Sequence, residues 1–138
     1  MRKRWIAGIG VAVVVLLAIW GCRRPTPPAP TTSPDGYSLW APTYLREALR
    51  HKDFILVNVH VPFEGRIAST DAEIPYDQLA ADPSQFLRDP NQKIVLYCRS
   101  GRMSEIAAKS LVEHGYTHVA ILQGGMLAWS ESGGSLLK

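Results

Sequence analysis

Cysteine is scarce in this chain: Cys22 and Cys98 are the only two in 138 residues. If Cys22 is lipidated, Cys98 is left without a partner and the domain has no covalent cross-link. Metal-binding spacing and internal repeats are also lacking. His114 and His118 lie four apart, but Gly115 between them reads as a helix stop, so the two rings need not share a face. Charge of one sign is missing once the ends are set aside. The first 35 residues hold five of the fifteen Lys and Arg and one of the twelve acidic residues, which leaves Gly36–Lys138 with about one net negative charge. A nucleic-acid partner thereby loses its electrostatic footing. The one long apolar run, Trp5–Trp20, has sixteen residues and falls short of a typical span of about 20.

What is present at the N-terminus reads as targeting. Arg2, Lys3 and Arg4 precede that apolar run, the pattern of a signal-peptide core. Ile19-Trp20-Gly21-Cys22 resembles a bacterial lipoprotein processing site, with Trp20 in place of the usual small residue. Cys22 is then the lipidation site, and residues 1–22 form a signal peptide with that site or an uncleaved membrane anchor. Ordinary secretion is the third possibility. The expectation is a chain tethered to the cell membrane through its N-terminus, with its domain on the extracytoplasmic side. Residues 23–35 include Pro25, Pro27, Pro28, Pro30 and Pro34, the composition of a semi-rigid spacer. At ~3.1 Å per residue it reaches about 40 Å.

Residues 36–138 carry one α/β domain. Phe54–Val59, Ile94–Tyr97 and Val119–Leu122 are short apolar runs rich in β-branched residues, as strands buried on both faces of a parallel sheet require. Thr43–His51 and Ser104–His114 show helical stripes, the second closed by Gly115. Short helices are expected over Asp77–Ala81 and Pro83–Arg88, and an ordered loop over Val61–Tyr76. Gly124-Gly125 reads as a turn and Trp129 as core.

Chemistry concentrates in Cys98-Arg99-Ser100-Gly101-Arg102-Met103-Ser104, between a strand and a helix. Backbone N–H groups converge at such a junction and favour an anion. A thiol there is biased toward thiolate, the competent nucleophile, and Arg99 and Arg102 add positive charge. Plainer roles stand beside these. Cys98 fits a small buried apolar position, and the arginines fit solvated loop positions. Ser100 and Ser104 suit local capping, Gly101 a tight turn and Met103 a wall.

Tyr97-Cys98-Arg99-Ser100-Gly101, an apolar helix, Gly115-Tyr116, an apolar strand, and Gly124-Gly125 with Ala128-Trp129 together resemble a single rhodanese domain. The resemblance implies a five-stranded parallel sheet flanked by helices on both faces, and a sulfurtransferase. It implies that Cys98 is catalytic, carrying sulfane sulfur as a persulfide, and that Arg99, Ser100, Gly101, Arg102, Met103 and Ser104 bind the substrate. The partners are a small anionic sulfur donor such as thiosulfate and a thiol or acceptor protein, with cyanide as an assay acceptor. No cofactor is required.

The chain departs from the family pattern at three places. Met103 stands where many members have arginine; Asn58-Val59-His60 replaces a common Asp-x-Arg; and Glu64-Gly65-Arg66 with Thr70-Asp71 replaces a His-x-x-Gly-Ala region. A phosphatase on the same architecture needs arginine as the sixth residue after the cysteine, and that residue here is Ser104. The competing reading is a non-catalytic rhodanese module that binds a protein or senses redox state through its thiol.

Overall fold

The computed structural model describes residues 25–138. The signal segment, the lipidation site Cys22, and Arg23 and Arg24 lie outside the described residues. Among the described residues, no helix is long and apolar enough to cross a membrane.

The chain runs β1 (Thr31–Thr32), β2 (Ser38–Trp40), α1 (Pro42–Ala48, continued by a 3-10 turn, Leu49–His51), β3 (Ile55–Asn58), β4 (Arg66–Ile67) and β5 (Ala72–Glu73). It continues through α2 (Tyr76–Ala81), a 3-10 turn (Pro83–Gln85), β6 (Ile94–Tyr97), α3 (Arg102–Glu113), β7 (Val119–Leu122), α4 (Gly125–Glu131) and β8 (Leu136–Leu137). The main sheet has the order β1-β2-β7-β6-β3-β5. Every pairing from β2 to β5 is parallel, and only β1 is antiparallel.

The expected five parallel strands are therefore present, with an antiparallel sixth added at one edge. That strand comes from the segment expected to be spacer. Thr31 and Thr32 pair with Leu39 and Ser38, so ordered pairing begins before Gly36. Proline is compatible with such an edge, where one side of the strand needs no ladder donor.

The period-2 alternation of β6 divides the core. Ile94, Leu96 and the following Cys98 face a cluster that includes Leu79 of α2 and Ala107, Ala108 and Leu111 of α3. Val95 and Tyr97 face the opposite cluster, with Leu45 of α1 and Met126 and Trp129 of α4. Helices thus cover both faces, and apolar burial on each is the main stabilising term. Arg46 ties α1 to α4, bonding the Ser132 carbonyl and hydroxyl while its guanidinium lies over the Trp129 ring.

Several expectations are corrected. The stretch expected as a loop contains β4 and β5; β4 pairs with the C-terminal β8, and β5 lies beside β3. The helix expected over Pro83–Arg88 is only a 3-10 turn at Pro83–Gln85. Helix α3 starts at Arg102, two residues earlier than expected, so Arg102 and Met103 belong to its first turn.

Candidate active site

Strand β6 delivers Cys98 to the carboxyl end of the sheet, and Gly101 turns the chain into α3. Gly101 takes φ +114°, a conformation that side chains rarely adopt. Its N–H donates to Cys98 Sγ at 3.0 Å. Ser104 Oγ lies 3.6 Å from the same sulfur and donates to the Gly101 carbonyl at 2.7 Å. Ser104 therefore closes the loop from inside and brings no charge to the position where a phosphatase needs arginine.

The broad cradle expected from Arg99 to Ser104 is narrower around the resting sulfur. Among the described residues, Gly101 supplies the one backbone hydrogen bond to Sγ. The first hydrogen bond within α3 runs from Glu105 N–H to the Gly101 carbonyl, so the N–H groups of Arg102, Met103 and Ser104 precede it. These are the donors a helix leaves without backbone partners. Arg99, Ser100 and Arg102 are exposed, while Met103 packs against the core cluster that contains Cys98. Cys98 itself is only 1% exposed. The sulfur is more enclosed than a freely open nucleophile.

Helix α4 clamps the same loop from the other side. Met126 N–H donates to the Cys98 carbonyl at 2.9 Å and Leu127 N–H to the Arg99 carbonyl at 3.0 Å. This approach depends on Gly125, since a Cβ there would lie 2.3 Å from the Cys98 carbonyl oxygen. The paired glycines do turn the chain, as expected, but they also start a helix that positions the site.

The neighbouring loop, after β3, is fixed by side chains. Asn58 donates to the Gly65 carbonyl and accepts the His60 N–H, both at 3.1 Å. His60 Nε2 lies 2.7 Å from Glu64 Oε2, which is also 3.5 Å from Arg99 Nε. Asn58 and His60 thus replace the absent Asp-x-Arg pair with a different network. Tyr97, just before the cysteine, receives the Ile67 N–H at 3.0 Å and shares a 2.7 Å hydrogen bond with Thr70. Burial pushes the Tyr97 phenol above its ordinary value, and the Thr70 and Ile67 bonds pull it partly back. Asp71 accepts the Leu56 N–H at 2.7 Å and pairs with Lys52. None of Asn58, His60, Glu64, Thr70 or Tyr97 was a predicted site residue. Their signals were the replaced Asp-x-Arg motif for Asn58 and His60, the replaced His-x-x-Gly-Ala region for Glu64 and Thr70, and the motif around the cysteine for Tyr97.

A recess of about 250 Å³ opens beside the cysteine loop, lined by Glu64, Arg99, Met126, Leu127, Ser130 and Leu136. The larger cavity, about 580 Å³, lies where β6 and β7 begin, at Ile94 and Val119. It touches no residue of the cysteine loop. Among the described residues, no group of three His, Cys, Asp or Glu side chains is placed to hold a metal ion.

A cysteine at a strand end, a glycine turn, a helix N-terminus and a doubly covered parallel sheet define a strand-loop-helix candidate site of the α/β class. Residues 44–132 match the rhodanese-like domain family, and the chain belongs to it. The chain is 33% identical over 85 residues to a sulfurtransferase of Allochromatium vinosum, covering 59% of this chain and 77% of that protein. It is 32% identical over 96 residues to the thiosulfate:glutathione sulfurtransferase of Saccharomyces cerevisiae, covering 60% of this chain and 69% of that one. A further match, 33% identical over 95 residues and covering 67% of this chain, is an uncharacterized protein of Synechocystis sp., of whose length the chain spans about half (52%). Among solved structures, a rhodanese-related protein of Thermoplasma volcanium superposes with a TM-score of 0.59 at 27% identity, covering 71% of this chain and 95% of that one.

Proposed function

We propose that the chain is a sulfurtransferase that carries sulfane sulfur on Cys98. The observation that carries this reading is the Gly101 N–H aimed at Cys98 Sγ from 3.0 Å at the start of α3. A donor hydrogen bond to sulfur stabilises negative charge there, and the positive end of a helix adds to it. The sulfurtransferases of A. vinosum and S. cerevisiae that the chain resembles support the same reading.

In the first half-reaction the Cys98 thiolate attacks the outer sulfur of a donor such as thiosulfate. The donor S–S bond breaks, its electron pair leaves on sulfite, and Cys98 holds a persulfide. An acceptor thiol then attacks the outer sulfur and restores the thiolate. The first half-reaction requires the donor to reach the enclosed Sγ itself, whereas in the second the sulfur attacked is the outer one, about 2 Å further from the backbone. There the free N–H groups at the start of α3 meet an anionic atom.

The test is incubation of the soluble domain with thiosulfate, followed by mass measurement. The expected product is an adduct of about 32 Da, one sulfur atom, removed by reductant and absent from Cys98→Ser. No adduct with any sulfane donor would reject the enzyme reading in favour of a protein-binding or redox-sensing module, and the 1% exposure of Cys98 favours the protein-binding form, because a redox sensor needs an accessible thiol.

We also infer, from residues 1–22, that the native chain is tethered to the membrane with this domain on the extracytoplasmic side. Fractionation of the full chain beside Cys22→Ser checks the lipid anchor. A variant that stays in the membrane points to an uncleaved anchor instead.

A further inference from the structure

We propose that Glu64 is a specificity-determining residue at the mouth of the cysteine loop, held by His60 so that it occupies Arg99 and disfavours small multiply charged anions. The inference deepens the sulfurtransferase reading and rests on it for the substrate, though not for the geometry.

One carboxylate oxygen, Glu64 Oε2, is shared by His60 Nε2 at 2.7 Å and Arg99 Nε at 3.5 Å. A carboxylate accepts and does not donate, so the imidazole carries its hydrogen on Nε2 and gives it to Glu64. Among the described residues, the other ring nitrogen, Nδ1, is buried with no partner. Leaving a buried polar atom unpaired costs free energy. The His60 side chain is only 8% exposed, and among the described residues its one polar contact is to Glu64. The ring is therefore a positioning group whose work is to hold that carboxylate. Asn58 braces the same segment from both ends, through the His60 N–H and the Gly65 carbonyl.

The consequence is electrostatic. Arg99, next in the chain to Cys98, is exposed and has a carboxylate 3.5 Å from its Nε. An incoming anion gains less from the guanidinium and meets Glu64 at the same place, a dianion most of all, whereas a neutral donor loses little. Beyond the pair, the recess is walled by Met126, Leu127 and Leu136, a lining that suits an organic substituent better than a hydrated inorganic dianion. Sulfur transfer balances in either case. Cys98 attacks the outer sulfur, the donor S–S bond breaks, and the electron pair leaves on sulfite or on an organic thiolate.

The experiment compares alkylation of Cys98 by iodoacetate and iodoacetamide, which do the same chemistry with and without a negative charge. Glu64→Gln should raise the iodoacetate-to-iodoacetamide rate ratio about fivefold at low salt, an effect that shrinks at high salt. His60→Leu should move the ratio the same way but less far. The KM for thiosulfate should fall about fivefold in Glu64→Gln with kcat unchanged. An unchanged alkylation ratio overturns the inference, and so does a sulfur that neither reagent reaches. Absence of a persulfide in the unmodified chain overturns the sulfurtransferase reading alone, because the alkylation ratio needs no sulfur transfer.

Discussion

Two loops meet at the carboxyl ends of neighbouring parallel strands, and they are built in opposite ways. The loop after β6 is held mainly by main-chain groups, with Gly101 N–H on Sγ and the Met126 and Leu127 N–H groups on the carbonyls of Cys98 and Arg99, and by one side chain, the Ser104 hydroxyl on the Gly101 carbonyl. The loop after β3 is held by side chains: Asn58, His60, Glu64, Thr70 and the Tyr97 hydroxyl. A site made of backbone depends on where glycines permit close approach and tolerates change elsewhere. A site made of side chains changes its chemistry with each substitution. The first loop thus holds the sulfur, while the second carries what differs between this chain and the usual Asp-x-Arg pattern.

The comparison breaks most severely at Gly125. Alanine there must adopt φ +58° and would place its Cβ 2.3 Å from the Cys98 carbonyl oxygen and 2.7 Å from that of Arg99. Neither neighbour is a flexible side-chain end, so the α4 start must shift. Gly125→Ala is expected to cost about 3 kcal/mol or more of stability and to abolish persulfide formation. Urea unfolding and the mass adduct check the two outcomes. Native stability with a normal adduct would show that the backbone clamp is dispensable.

The side-chain loop fails more gently. Tyr97→Phe removes the acceptor of the Ile67 N–H and the partner of Thr70. Leaving that buried N–H unpaired is expected to cost about 2 kcal/mol at neutral pH, read from the denaturant midpoint.

The pH dependence sharpens the point. Burial raises the Tyr97 phenol above its unfolded value, so its neutral form is the one folding favours. Its stabilising contribution is fully present below about pH 10 and is lost as the pH rises from the unfolded value through the folded one. The denaturant midpoint should therefore fall more steeply with alkaline pH in the unmodified chain than in Tyr97→Phe. Parallel curves would remove Tyr97 from the account.

The same contrast explains what was legible in the sequence. Strands β3, β6 and β7 and helices α1 and α3 announce themselves because burial on both faces demands unbroken apolar runs and the helices between them carry stripes. Strand β2 has only three residues, and β1 sits among prolines; both depend on pairing partners distant in sequence. Helix α4 hides because Gly124-Gly125 carries the local signature of a turn, and its seven residues are too few for a clear period. Within the site, Cys98 and Gly101 follow from strand, glycine and helix in succession. The contact of Glu64 with Arg99 spans 35 residues and joins two loops, and no periodicity encodes such a meeting. The enclosure of Cys98 was legible only as the plainer of its two readings, because it depends on a core cluster that includes Val57 of β3 and Ala107, Ala108 and Leu111 of α3.

The smallest expected effect concerns Arg102, whose cation separates backbone holding from charge attraction. Among the described residues Arg102 is exposed and makes no ion pair, whereas Arg99 is engaged by Glu64. If the main chain holds the sulfur and exposed cations only gather the donor, Arg102→Ala should leave kcat for thiosulfate unchanged and raise KM about twofold to fivefold at low salt. The difference should vanish by about 1 M salt, where the screening length is near 3 Å. A fall in kcat that persists at high salt would instead place the guanidinium on the reacting atoms. The line between a loop that holds and a surface that attracts would then have to be redrawn through α3.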